Sequence, residues 1–265
     1  MNLFDMTGKV GLVSGAASGM GKAMATAFAE AGADVMLVDK NTAGLQATAD
    51  TIASLGRKAV PVTCDVSDIG QITALFERLD REFGRIDALG NVAGDARSAK
   101  PEDLTLEDLQ YTLQNLVVGR FSMCQQAGRR MLARGKGSII NIGSIGGVTS
   151  LGRSHIAYGM GMAAVVQMTR ELSTEWSSLG VRVNAILPAQ VLNAGMEQRM
   201  VDDPNLRATW LRGIPAGRFG TPDDIKGLAV FLASDASPWI TGAIIPMDGG
   251  NIAMNGGGLV RQPRG

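Results

Sequence analysis

The chain has 265 residues, and its 25 Lys+Arg cancel 25 Asp+Glu to leave a formal charge of zero. That balance argues against the basic face of a nucleic-acid-binding protein; 45% hydrophobic and 19% charged residues argue against disorder. The 35 glycines have no three-residue period, which excludes collagen. A chain this long buries a full core without staples. Its two cysteines, Cys64 and Cys124, lie far apart and read as small buried apolar residues of a reducing compartment. Met1–Val13 carries Asp5, Thr7 and Lys9 and has no signal-peptide core. No apolar run reaches the roughly 18 residues of a membrane span. The expectation is a cytoplasmic protein with a small-molecule partner and no nucleic-acid or membrane partner. No metal-ligand cluster is visible.

In chain order, Val10–Ser14 is a short apolar run followed by a glycine and predicts a buried strand. Met20–Ala31 carries small and apolar residues at helical spacing. Asp34–Asp39 is a second apolar run, Thr42–Leu55 is helical, and Ala59–Asp65 is β-rich. Ile69–Phe83 places Ile69, Ile72, Leu75, Phe76 and Leu79 on one face of a helix. Ile86–Val92 and Ser138–Ile142 read as strands flanking one long helical stretch, about Leu106–Arg134. Ala157–Ser178 is helical, Val181–Leu187 a strand, Asp223–Ala233 a helix and Ala243–Met247 a last strand. Such alternation predicts a single-domain α/β protein of Rossmann type: a doubly wound parallel sheet flanked by helices on both faces. The longest irregular stretch, about 189–222, has helical pieces near Gly195–Val201 and Pro204–Arg212 and reads as a substrate lid. A glycine-rich tail covers about 254–265; it reads as a flexible end.

Ser14-Gly15-Ala16-Ala17-Ser18-Gly19-Met20-Gly21 follows the first strand and opens the first helix, a G-x-x-x-G-x-G turn. A helix N-terminus offers free N–H groups and the positive end of a dipole, which suits a pyrophosphate. Glycines let the backbone come close to it. Asp39 ends the second strand, 18 residues after Gly21. A carboxylate there accepts hydrogen bonds from ribose hydroxyls and repels a 2′-phosphate, and neither Ala16 nor Ala17 is basic, so NAD is favoured over NADP despite Lys40.

From about Thr7 to Gly250 the chain resembles the short-chain dehydrogenase/reductase family. The glycine loop matches that family's cofactor loop, with Ser14 for its usual threonine. Cys64-Asp65-Val66 is similar to the adenine-contacting segment, and Asn91-Val92-Ala93-Gly94 to an N-N-A-G strand end. Asn115, Ser144 and Tyr158 fall at the catalytic asparagine, serine and tyrosine. Pro188-Ala189 stands for the P-G after the sixth strand, and Gly242…Asp248-Gly249-Gly250 matches the ending. The resemblance implies cofactor contacts from Ser14, Gly15, Ser18, Gly19, Met20, Gly21, Asp39, Asp65, Val66, Asn91, Ala93, Gly94, Tyr158, Pro188, Val191 and Asn193. It implies substrate contacts from His155 and Gln190, and a homotetramer.

One position departs from the pattern. The family's Y-x-x-x-K reads Tyr158-Gly159-Met160-Gly161-Met162, so Met162 stands at the lysine position. Positions four apart share a helix face, but a thioether carries no charge and donates no hydrogen bond. In this chemistry a phenol takes the alcohol proton as hydride leaves for the nicotinamide. A free phenol titrates near pH 10, so about one in a thousand is ionised at pH 7; a neighbouring ammonium favours the phenolate. Losing an efficient general base costs about 10²–10⁴ in rate. Sequence alone therefore implies slow turnover, raised by Met162→Lys, with Met162 either natural or a Lys-to-Met inactivation. If natural, Met160 and Met162 are expected to shape an apolar substrate wall. His155, the only histidine, sits three residues before Tyr158, and imidazole suits proton relay.

The leading reading is an NAD-dependent oxidoreductase acting on a secondary alcohol or ketone of the sugar, polyol or hydroxy-acid class. An NAD-retaining isomerase or epimerase and an inactive NAD-binding protein are the alternatives. Substrate choice is expected to lie in Asp95–Ser98, Val148–His155 and Gln190–Arg212.

Overall fold

In the computed structural model, which describes residues 2–254, the seven apolar runs become β1 (Val10–Ser14), β2 (Asp34–Asp39), β3 (Ala59–Thr63), β4 (Ala88–Asn91), β5 (Gly137–Ile142), β6 (Val181–Pro188) and β7 (Ile244–Met247). They pair in parallel throughout, in the order β3-β2-β1-β4-β5-β6-β7. The chain is one doubly wound domain. The glycine-rich tail lies almost wholly outside the described residues.

Strand side chains alternate between two cores, as period-two geometry requires. Val13, Val35, Leu37 and Ile140 pack with Met24, Phe28, Leu45, Ile52 and Leu232 on one face. Leu12, Met36, Val38, Leu89, Ile139 and Val183 pack with Ile72, Phe76, Leu79, Met123 and Met131 on the other. Helices therefore cover both faces: α1 (Gly19–Glu30), α2 (Thr42–Ser54) and α9 (Lys226–Ala233) on the first, α3 (Ile69–Phe83) and α5 (Gly119–Arg134) on the second. The α3 boundaries follow local chemistry. Asp68 accepts from the N–H groups of Gly70 and Gln71, at 2.8 and 3.1 Å, and Gly84 ends the helix at φ +67°. Cys64 and Cys124 are both buried and unbonded to each other.

Two expectations change. The long helix Leu106–Arg134 is interrupted: α4 (Leu106–Leu113) runs into a π-helical turn at Gln114–Val118 before α5. Asn115 Nδ2 donates to the Tyr111 carbonyl at 3.0 Å, inserting a side chain into the backbone ladder, which is how such turns arise. The helix expected at Asp223–Ala233 begins as a 3₁₀ turn, Pro222–Ile225, before α9. The long helix after β5 is α6 (Ile156–Trp176). The stretch 189–222 holds α7 (Ala194–Asp202) and α8 (Leu206–Leu211) where its helical pieces were expected, and Trp210, Ile214 and Phe219 form a small core with Leu192, Met196 and Leu206. No helix among the described residues is long and apolar enough to cross a membrane.

Away from the strand ends that form the site, Asp87 fastens β1 to β4. It accepts from the Val10 N–H at 2.9 Å, from Arg85 at 2.6 and 2.8 Å and from Arg134 at 3.1 Å, and is 7% exposed. Burial raises its pKa, but the Arg85, Val10 and Arg134 bonds outweigh burial and hold the carboxyl below the usual carboxylate range. A depressed folded-state pKa stabilises above the unfolded value and is lost as pH falls through the folded one. Asp87→Asn should therefore cost about 1–3 kcal/mol at pH 7. The difference should shrink as pH falls below the ordinary carboxylate range, which denaturant melts of both chains at pH 7 and in acid will measure.

Candidate active site

The strand order reverses between β1 and β4, and the crevice opens at the carboxyl ends of these strands. A cavity of about 350 Å³ there is lined by Gly15, Ser18, Met20, Gly21, Asp39, Lys40, Cys64, Asp65, Val66, Val92, Ala93, Gly94, Asp95 and Asn115. Ten of the expected residues thus meet in one place. Gly19 opens α1 at φ +53° with free space beside it. Gly21 has no such room: a Cβ would collide with the Gly15 carbonyl, so the loop folds directly over the helix start.

Ser14 and Asn91 lie behind this cavity rather than on its wall. Ser14 is fully buried and its Oγ accepts from the Val92 and Ala93 N–H groups, each at 3.0 Å. Asn91 donates to Arg120 O at 3.0 Å and Asn141 Oδ1 at 3.1 Å. Both shape the cofactor side from beneath.

Asp39 is held by the N–H groups of Ala17, at 3.2 Å, and Asn41, at 3.0 Å. Lys40 points to Asp65, 3.8 Å away. Burial opposes ionisation of Asp65, but the bonds from Ser67 and the Lys40 charge prevail and hold its carboxyl below the usual range. The free N-terminus of α1, the closed glycine loop and a fixed carboxylate at the β2 end together fit an adenine dinucleotide.

A second cavity of about 310 Å³ adjoins the β5 and β6 ends. Ser144, His155, Tyr158, Gln190 and Asn193 line it, with Ala96, Ser98, Ile145, Leu151, Arg153, Ala189, Met196, Arg199 and Trp210. Ser144 Oγ accepts from the Gly146 N–H at 3.1 Å. The His155 and Tyr158 rings meet edge to face with centroids 5.9 Å apart, and His155 Nδ1 bonds the Arg153 carbonyl. Asn193 caps α7 through the Met196 N–H at 3.0 Å. Gln190 Oε1 and Trp210 Nε1 are buried without a partner. Pro188 ends β6, and the buried Val191 bridges to Gly220; neither faces this cavity.

The expected wall of Met160 and Met162 does not form. Two residues apart on a helix, they point in different directions. Met160 is 46% exposed; Met162 is 1% exposed and lines neither cavity.

Sequence reasoning missed Arg120. It sits on α5 at 4% exposure with no carboxylate partner among the described residues. Its Nε donates to Ala93 O at 3.0 Å, Nη2 to Val92 O at 2.9 Å, and Nη1 to Ile142 O. Burial pulls its pKa down to about 10, which leaves it charged at neutral pH. The available signal was its spacing: Leu116, Arg120 and Cys124 are four apart, so a charge falls on an apolar helix stripe.

The family profile described as Enoyl-(Acyl carrier protein) reductase matches residues 15–251. D-threitol dehydrogenase of Mycolicibacterium smegmatis is 42% identical over 247 residues, covering 93% of this chain and 94% of that protein. The chain belongs to the short-chain dehydrogenase/reductase family. Among other members, 2-dehydro-3-deoxy-D-gluconate 5-dehydrogenase of Dickeya dadantii is 35% identical, over 96% of this chain and 99% of its own. A gluconate 5-dehydrogenase from Burkholderia cenocepacia, solved with NADP and tartrate, superposes with a TM-score of 0.88 at 29% identity, over 95% and 98% of the two chains. The short-chain dehydrogenase/reductase fold thus covers nearly all of the described chain, and these relatives are oxidoreductases of polyols and sugar acids.

Gly21→Ala forces the loop off the α1 start. It should weaken nicotinamide-dinucleotide binding at least tenfold in calorimetry, about 1.4 kcal/mol or more, with the far-ultraviolet spectrum unchanged.

Proposed function

We propose that the chain is an NAD-dependent dehydrogenase that oxidises a secondary alcohol of a polyhydroxylated acid. The observation that carries the substrate class is the charge of the second cavity. Arg153 and Arg199 both line it, neither forms an ion pair among the described residues, and no Asp or Glu lines it. Partial burial, and then the like charge of Arg199, lower the Arg153 pKa. An anionic substrate relieves that repulsion. The unpartnered Gln190 Oε1 and Trp210 Nε1 suit a ligand with several hydroxyls. Relatives acting on threitol and on a deoxygluconate support the polyol and sugar-acid class.

Asp39 supports NAD. Fixed by two backbone donors, its carboxylate cannot turn away from a 2′-phosphate, and Lys40 is engaged by Asp65.

The chain's own residues then divide the work. A bound nicotinamide would supply the hydride acceptor for the alcohol carbon. The Tyr158 oxygen, as phenolate, takes the alcohol proton. Ser144 Oγ accepts from Gly146, so its own hydrogen is free to donate to the substrate oxygen. His155 Nδ1 faces an acceptor and carries the ring hydrogen, which leaves Nε2 to accept from a substrate hydroxyl. Asn115 holds the π turn beside the first cavity. Met162, at the position the resemblance gives to lysine, offers Tyr158 neither charge nor hydrogen bond.

Absorbance at 340 nm with NAD⁺ and a panel of polyols and aldonates tests this reading. NADH should form with an aldonate. Replacing Arg153 and Arg199 together by Met should raise KM for that acid about tenfold, about 1.4 kcal/mol, while KM for a neutral tetritol stays within threefold. Thermal stabilisation by NAD⁺ without NADH from any substrate would defeat the reading.

A further inference from the structure

Arg120 has no role in the reading above, yet it is a fixed cation at the floor of the crevice. Its three carbonyl partners, Val92, Ala93 and Ile142, are the strand ends on which the two cavities rest, since Ala93 lines the first and Ile142 lies two residues before Ser144. A Cβ on Gly94 would lie 3.3 Å from Arg120 Nη2 and against Leu116. Leu116 in turn packs on Gly161, where a Cβ would lie 3.1 Å from it. The guanidinium thus stands one side chain away from the α6 turn that carries Tyr158 and Met162. We propose that Arg120 is a positioning residue that supplies, from α5, the positive charge Tyr158 needs and Met162 does not provide.

The charge inventory around this group supports the assignment. The ionisable groups that bear on Arg120 are Tyr158 and Cys124. Burial pushes the Cys124 thiol up to about 12, so it stays neutral. A buried cation held only by carbonyls lacks a counter-charge, and the phenolate that Tyr158 must present before it accepts the alcohol proton is an anion that bears on it. The other charged side chains lining the Tyr158 cavity are Arg153, partly buried, and Arg199, exposed and screened, with His155 at the Tyr158 ring edge. Asp95, on the neighbouring wall, accepts a hydrogen bond from Tyr111 at 2.8 Å. A charge in the low-dielectric interior acts more strongly than these. Arg120 therefore reverses the expectation from sequence: adding a lysine at 162 places a second cation beside the first.

This inference rests on Tyr158 being the proton acceptor, and its test separates the two. The chain has two tyrosines, so Tyr111→Phe leaves Tyr158 as the sole source of tyrosinate absorbance in an alkaline titration. Adding Arg120→Met should move that transition up by about one pH unit or more in the folded protein; an unmoved transition overturns the proposal, whatever the substrate proves to be. In turnover, Arg120→Met should lower kcat at least tenfold, and Met162→Lys in that background should restore most of it, a rescue that a merely structural arginine would not show. If Arg120→Met does not fold, the single variant Met162→Lys decides: kcat within threefold of the parent supports Arg120, and a tenfold gain overturns it. A parent chain that forms no NADH, with the titration shift intact, refutes the substrate reading and leaves the Arg120 assignment standing.

Discussion

The reversal of strand order at β1 and β4 governs the rest of the molecule. On either side of that line the connecting helices leave on opposite faces of the sheet, so their first turns cannot close over the strand ends. A cleft follows from topology alone. Its depth is then set by small contacts: the Ser14 hydroxyl beneath Val92 and Ala93, Asn91 between α5 and β5, and the Arg120 guanidinium drawing Val92, Ala93 and Ile142 together. The glycine loop lies over the α1 start because Gly21 leaves no room for anything larger beneath Gly15.

Charge is distributed over this cleft in three zones. At the β2 end stand two carboxylates, Asp39 and Asp65, and the proposed NAD preference rests on the first of them. At the substrate end stand Arg153 and Arg199, which favour an acid. Between them, below the strand ends, Arg120 places a desolvated positive charge near Tyr158. A chain of zero net charge thus places carboxylates at one cavity and arginines at the other.

Much of this was legible in the sequence, for reasons that can be named. The buried strands read as continuous apolar runs because both their faces meet helices, and α3 was readable to its last residue because its apolar face, the Asp68 cap and the Gly84 stop agree. The glycine loop and Asp39 were readable because their places are set by the βα units around them, and Ser144 and Tyr158 through the family resemblance. Arg120 was not, because a charge inside a helical stretch normally faces water, and only the folded sheet shows which carbonyls receive it. The π turn at Asn115 was hidden for a related reason: one side-chain bond to the Tyr111 carbonyl creates it, and no composition signal marks that bond. Met162 follows Tyr158 by one helical turn, but its separation from both cavities depends on packing that a single chain of letters does not record.

Direct hydride transfer to NAD⁺ is the claim on which the account stands. Incubating the protein with NAD⁺ and a uniformly carbon-deuterated aldonate, then reading the nicotinamide protons by nuclear magnetic resonance, tests it most directly. One deuterium is expected at the ring position that accepts hydride for every substrate oxidised. Substrate converted to an isomer with no labelled NADH released, or NADH carrying only protium, would contradict it.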